Sequence, residues 1–232
     1  MRDVTEKTYD CYHFGSSWKL TEQHLTELIR LFNTPTREAK SVLGGRSAVT
    51  KARLEDLESV VVKYYTRGGL IRHLVKRRYL KWGKPRCQME YEVLRKVRSV
   101  GVNAPEPIAY AYQGNIFYKA WLVTREIVQP QTLAELGRLD EQHACLVMKL
   151  VIEQVATLMN HSILHVDLHP GNVVVDSSGR VFLLDFDKAY TCIQNKKKLR
   201  ERYLSRWRRA IIKHRLPEML SEMMNTGLQK TN

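Results

Sequence analysis

Residues 161–187, HSILHVDLHPGNVVVDSSGRVFLLDFD, constrain this 232-residue chain more than any other stretch. Two short apolar runs, VVV and VFLL, flank a turn at SSG, so the stretch reads as a hairpin of two strands. A hairpin folds its two ends back together. Asp167 and Asn172 stand before the first run, and Asp185 closes the second. All three polar side chains are therefore predicted to gather at one rim.

Phosphoryl transfer needs such a gathering. The attacking hydroxyl has to lose a proton, so one carboxylate should face the acceptor. The triphosphate is highly anionic and needs Mg²⁺, held by hard oxygens such as those of Asp and Asn. The protein-kinase catalytic pattern is His-Arg-Asp, four residues, Asn, and later Asp-Phe-Gly. This chain resembles it in spacing, with Val166 in place of the Arg and Asp187 in place of the Gly. Asp167 is then the candidate base, Asn172 and Asp185 the candidate metal ligands, and His165 a structural brace for the loop. His161, His165 and His169 lie four apart, a spacing that aligns three imidazoles for zinc on a helix. Pro170 and Gly171 break a helix there, and LHVDLH reads as loop, which disfavours zinc.

The segments upstream fall in the order a kinase would need. SVLGGRSAVTKARLEDLESVVVKYY, residues 41–65, reads as strand, glycine turn, strand, turn, strand. Gly44 and Gly45 let a backbone come close to a ligand, and the N–H groups of such a turn can lie over phosphates. Lys63 stands in the β-branched strand SVVVKYY, where a kinase places the lysine that holds the α- and β-phosphates. A glutamate on the following helix should hold that lysine. RCQMEYEVLRKVRSVG carries an apolar stripe of Tyr91, Leu94 and Val97, with Gly101 as its stop. Glu90 and Glu92 project about 160° apart on that helix, so one of them can face the lysine, and Glu90 is the candidate. Residues 101–128 read as a hairpin turned at QGN. It leads to Glu126–Val128, where adenine would meet the backbone of Glu126 and Val128.

Three helices frame these segments. LTEQHLTELIRLF has Leu25, Leu28, Ile29 and Phe32 at i, i+3, i+4 and i+7, with Thr21 as N-cap. The helix over 140–160 has Asp140 as cap and Val147, Val151, Val155 and Leu158 as its buried stripe. KKKLRERYLSRWRRAIIKHRL is a basic helix with Tyr203, Trp207, Ala210 and Ile211 on one side.

Charge adds a partner class. The formal net charge is +14, and it is concentrated. Residues 63–98 hold 12 Lys and Arg against 2 Glu, and residues 188–215 hold 11 against 1. Such blocks suit an anionic partner: nucleic acid, an anionic membrane surface or a phosphorylated substrate. The insert TRGGLIRHLVKRRYLKWGKPR has Leu70, Leu74 and Val75 at the spacing of a short amphipathic helix, able to lie on an anionic bilayer or to cover an anionic substrate. No apolar run approaches the roughly 18 residues of a membrane-spanning helix. The polar N-terminus MRDVTEKTYD is not expected to be a secretory signal. Four scattered cysteines with no C-x-x-C pair read as thiols of a reducing compartment.

With these residues in place, the chain resembles the lipopolysaccharide kinase family, most closely its 3-deoxy-D-manno-octulosonic acid (Kdo) kinases. The resemblance runs from the helix after Trp18 to the basic C-terminal helix. YYTRGGLIRHLVKRRYL is its most specific part. HVDLHPGN and DFDK are similar to aminoglycoside phosphotransferases and choline kinases as well. The family's GRG-like glycine loop is replaced here by GGRS, a departure at Gly44 and Gly45. The resemblance implies an α+β, minimal two-lobed protein-kinase-like fold, with a small antiparallel sheet lobe and a reduced, mainly helical one. The boundaries expected are a helical extension over 1–40, a first lobe over 41–127 with the basic insert at 64–86, and a second lobe over 128–232. It implies ATP and Mg²⁺ as cofactors and phosphorylation of the 4-hydroxyl of a Kdo sugar on a lipid A precursor. It also implies a peripheral protein on the cytoplasmic face of a bacterial inner membrane, with an anionic glycolipid acceptor and no nucleic acid partner. Arg67, Arg72, Arg77, Arg78 and Lys188 are the acceptor contacts this suggests, since arginine suits bidentate capture of carboxylate and phosphate. A heptose kinase of the same family, a minimal atypical protein kinase of the RIO type, and an inactive nucleotide-binding module docking on membrane or RNA remain alternatives.

Overall fold

The computed structural model describes residues 3–34, 39–40, 46–65, 79–80, 83–115, 117–192 and 195–230. The chain divides into two compact units, Met1–Arg95 with Glu106–Glu126, and Lys96–Pro105 with Ile127–Asn232.

The first unit is built on one sheet. Its elements are β1 (Thr5–Tyr9), β2 (Tyr12–Ser16), α1 (Glu22–Asn33), β3 (Ala39–Lys40), β4 (Arg46–Leu54), β5 (Glu58–Tyr64), β6 (Tyr79–Leu80), most of α2 (Arg86–Ser99), β7 (Pro107–Gln113) and β8 (Phe117–Arg125). The strand order is β1-β2-β7-β8-β5-β4-β3, with β6 on β8, and every pairing is antiparallel. Strand parity sorts the side chains of β5. Val60 and Val62 are fully buried in the core with Leu25, Leu28 and Phe32 of α1. Lys63 and the following Tyr65 therefore share the alternate parity. Helix α1 starts at a capping box in which Thr21 and His24 satisfy each other's backbone N–H groups. Phe32 stacks on Trp121 with ring centroids 4.6 Å apart.

The N-terminal segment departs from the expectation of a helical extension over 1–40. Helix α1 is present, but β1 and β2 precede it and join the sheet through β2–β7. Strand β1, TEKTY, is polar throughout and almost wholly exposed, so it carries no apolar alternation to read. Gly15 of β2 marks a close approach, because a Cβ there would lie 2.1 Å from Cζ of the buried Tyr110.

The second unit adds β9 (Gln131–Thr132), α3 (Leu133–Leu139), α4 (Glu141–Asn160), β10 (Ile163–Leu164), a 3-10 turn at Pro170–Asn172, β11 (Val173–Val175), β12 (Val181–Leu183), β13 (Tyr190–Thr191), α5 (Lys196–His214) and α6 (Met219–Lys230). Strands β12, β11 and β9 form one small sheet, and β10 pairs with β13. Residues 96–105, expected in the first lobe, belong here. Asn103 explains why: its carbonyl accepts the Leu183 N–H at 2.9 Å, and its N–H donates to Gln154 Oε1 at 3.0 Å. Gln154 Nε2 then donates to Val181 O at 2.9 Å, so one buried amide ties α4 to both segments.

Asp140 caps α4 by accepting the His143 N–H at 2.9 Å, and Val147, Val151, Val155 and Leu158 are buried. In α5 the buried stripe is Leu199, Tyr203, Trp207, Ala210 and Ile211. Trp207 Nε1 donates to Leu220 O at 3.0 Å and so fastens α6 to α5. Among the described residues, no helix is long and apolar enough to cross a membrane.

Candidate active site

The hairpin β11–β12 brings its flanking residues together as its sequence requires. Val173 pairs with Leu183, so the residues just outside both strands are neighbours. The Leu184 N–H donates to Asn172 O at 2.8 Å. Asn172 Nδ2 donates to Asp167 O at 3.0 Å. At the far end, Asp176 Oδ1 accepts from the Ser178 and Arg180 N–H groups, each at 2.9 Å, and so closes the SSG turn. Asp167, Asn172 and Asp185 thus occupy one rim.

His165 is buried beneath that rim. Its Nε2–H donates to Leu184 O at 2.8 Å, and its ring meets Phe186 at 4.5 Å between centroids. Burial holds the imidazole below its ordinary pKa, so the neutral form is present and Nε2 carries the proton. His169 Nδ1 accepts the Gly171 N–H at 3.1 Å. Burial, and then the nearby Arg206 guanidinium, push His169 down to about 4. His161 lies apart from both, exposed at the C-terminal cap of α4. Each of the three imidazoles thus has its own surroundings.

Asp185 stands in the left-handed region, with φ 61°, and is exposed. Its neighbour Phe186 is fully buried and anchors the turn. Asn172 Oδ1 and the Asp185 carboxylate are hard oxygen donors on residues held through the Leu184–Asn172 hydrogen bond. With its Nδ2 bonded to Asp167 O, the Asn172 amide has Oδ1 left as its acceptor. That donor set fits Mg²⁺.

Helix α5 supplies two residues that sequence reasoning did not assign to the site. The Tyr203 hydroxyl accepts the His165 N–H at 2.9 Å and donates to Ile163 O at 2.9 Å. One phenol thereby fixes the approach to the candidate catalytic loop. Tyr203→Phe removes both bonds and leaves a buried N–H and a buried C=O unpaired. That change is expected to cost roughly 1–3 kcal/mol in a denaturant titration. The second residue is Arg206. Its Nε donates to Asp167 Oδ1 at 2.9 Å, and its Nη2 contacts the same oxygen. Asp167 Oδ2 accepts no hydrogen bond among the described residues. Arg206 lies 39 residues from Asp167, and no periodicity reveals a pair so distant.

The first unit holds its own constellation. Lys63 Nζ lies 2.9 Å from both Glu90 carboxylate oxygens. Glu90 is 3% exposed, and the Tyr65 hydroxyl also donates to its Oε2. Strand parity explains this meeting, since residues 63 and 65 share one face of the chain. Glu92 turns away and pairs instead with Lys84 at 2.8 Å. The Glu126 N–H donates to Ser59 O at 2.9 Å, which extends the β5–β8 ladder and takes that donor from any adenine. The Glu126 carboxylate pairs with Lys51, whose hydrogen bond pulls its pKa down. Val128 and Lys188 are exposed. Gly44, Gly45, Arg67, Arg72, Arg77, Arg78 and the helix expected around Leu70–Val75 lie outside the described residues.

A model of the lipopolysaccharide kinase (Kdo/WaaP) family matches residues 27–224, from within α1 into α6. The chain belongs to the lipopolysaccharide kinase (Kdo/WaaP) family. Among curated relatives, the 3-deoxy-D-manno-octulosonic acid kinase of Vibrio vulnificus (strain YJ016) is 33% identical over 135 residues, which is 57% of each chain. That of Photobacterium profundum is 32% identical over 160 residues, 66% of this chain and 65% of the relative. That of Vibrio parahaemolyticus is 27% identical over 186 residues, 78% and 77% respectively. The chain spans less than two thirds of the length of the Vibrio vulnificus relative. The family match contains Lys63, Glu90, Asp167, Asn172, Asp185 and Arg206.

Proposed function

We propose that this lipopolysaccharide kinase family member transfers the γ-phosphoryl group of ATP to the 4-hydroxyl of a Kdo sugar on a lipid A precursor. The observation that carries the reading is the rim of β11–β12, where the Asn172 amide bonds Asp167 O and the Asn172 carbonyl accepts the N–H of Leu184, the residue before Asp185. The Kdo kinase names of the relatives support the choice of acceptor. In this reading the first unit is a kinase-like sheet lobe and the second a reduced helical lobe.

Asp167 takes the proton of the acceptor hydroxyl as that oxygen attacks the γ-phosphorus, and ADP leaves. Arg206 engages Oδ1, so Oδ2 is the oxygen that receives the proton. Asn172 and Asp185 would hold Mg²⁺, which would supply charge neutralisation for the triphosphate. Lys63, held by Glu90 and Tyr65, contacts the α- and β-phosphates. The Glu126 carbonyl, the Val128 backbone, and Gly44 and Gly45 are assigned to the nucleotide. The acceptor is strongly anionic, which suits the basic blocks and a peripheral position on the cytoplasmic face of an inner membrane.

Incubation with labelled ATP, Mg²⁺ and Kdo–lipid IVA, beside lipid IVA lacking the sugar, tests the assignment. Label is expected on the Kdo form alone. Label on a heptose acceptor or on protein, with none on the Kdo form, overturns it.

A further inference from the structure

Helix α5 faces the catalytic loop with more than Tyr203. Lys198, Arg202 and Arg206 recur every four residues, and so do Glu201, Ser205 and Arg209. On a helix these two rows run side by side. Together with Leu164, His165 and Val166 they line an open groove of about 490 Å³. Four of its lining side chains are cationic and one is anionic, so the groove carries a net positive charge.

The cations are held in distinct ways. Arg202 Nη1 donates to the Tyr190 hydroxyl at 3.0 Å. Arg209 Nε donates back to Ser205 O at 3.3 Å. Arg206 engages Asp167 Oδ1 through Nε and Nη2. Its Nη1 has no partner among the described residues. One edge of the guanidinium therefore orients the candidate base, while another remains for a second anion. A planar guanidinium with donors on two edges can bridge two carboxylates, or a carboxylate and a phosphate.

We propose that this groove is the acceptor-anion subsite of the phosphotransfer reached above, and the inference rests on that reading. Arg206 bridges Asp167 to a carboxylate or phosphate of the acceptor. Arg202, Arg209 and Lys198 complete the binding of that anion. The anion then lies across one guanidinium from the base, which favours a hydroxyl at that reach from it. Binding energy from a charged group outside the reacting bond serves here to position the hydroxyl. This moves acceptor recognition from the insert at 64–86 to α5, in direct contact with the candidate base.

The test is the double variant Arg202→Gln with Arg209→Gln, in the full chain. Both residues are exposed, so the melting temperature should stay close to that of the wild type. Two readouts separate this inference from the assigned reaction. The first is equilibrium binding of Kdo–lipid IVA in detergent micelles, which needs no turnover. The second is steady-state transfer. The variant is expected to bind the glycolipid about tenfold more weakly, which corresponds to about 1.4 kcal/mol. Its acceptor kcat/KM should fall by at least a similar factor, with the ATP KM within about twofold of the wild type. Loss of the difference between variant and wild type with the Kdo carboxylate methyl-esterified identifies the carboxylate as the ligand. Loss of the difference with the lipid phosphates removed identifies a phosphate. Unchanged glycolipid binding by the double variant overturns the subsite. Weaker binding by the variant, with no transfer by wild-type protein, keeps the subsite and overturns the reaction.

Discussion

Asp167→Asn is expected to lower kcat for phosphoryl transfer by about 10²- to 10⁴-fold, the range for loss of a general base. The ATP KM should change little, because Asp167 is assigned to the acceptor hydroxyl. Stability should change by less than about 1 kcal/mol, since the Asp167–Arg206 pair is partly exposed on both sides and screened by solvent. Single-turnover transfer and a thermal melt on the same preparation read both quantities. A variant that keeps wild-type kcat removes Asp167 from the base role. A variant that loses activity only because it unfolds shows instead a large drop in melting temperature.

Lys63→Met is expected to reduce kcat/KM for ATP by roughly 10²- to 10³-fold, as for loss of one preorganised charge-stabilising group. It should also destabilise the protein, because the buried Glu90 loses its ion pair with Lys63. Breaking a buried pair from one side costs about 3–5 kcal/mol, and the Tyr65 hydroxyl and the partial exposure of Lys63 place the expected value toward the lower end. Glu90→Gln added to Lys63→Met removes the buried charge that Lys63 had paired. The double variant should therefore recover much of the stability and none of the activity. Recovery of both would show that the pair serves folding alone.

The elements that the sequence made legible are those with a clean period. The stripes of α1, α2, α4 and α5 and the turns at QGN and SSG mark their elements at 3.6- or 2-residue spacing. The meeting of Lys63 with Glu90 could also be anticipated, because a strand face and a helix turn each leave one choice. What escaped has no period to show. Strand β1 is polar on both faces, and the seven residues of α3 are too few for a stripe. Helix α6 carries Leu220, Met224 and Leu228 at four-residue spacing, a signal present in the sequence but confined to a short tail. The roles of Tyr203 and Arg206 escaped for another reason. A phenol in an apolar stripe reads as packing, and an arginine among many reads as solvation, until the loop they meet is placed beside them.

The left-handed backbone at Asp185 has a consequence for how this chain can diverge. Most L-residues pay roughly 1–2 kcal/mol in that conformation, while Asn, Asp and Gly are tolerated. Asn would keep the backbone and discard the charge, and Gly would relax the backbone and discard the carboxylate proposed to hold Mg²⁺. Every other replacement is disfavoured by conformation as well as by chemistry. If Asp185 holds the metal as proposed, a lineage that abandons catalysis through this codon has two routes that leave the domain intact, so that a folded, silent descendant is a short mutational step from an active one.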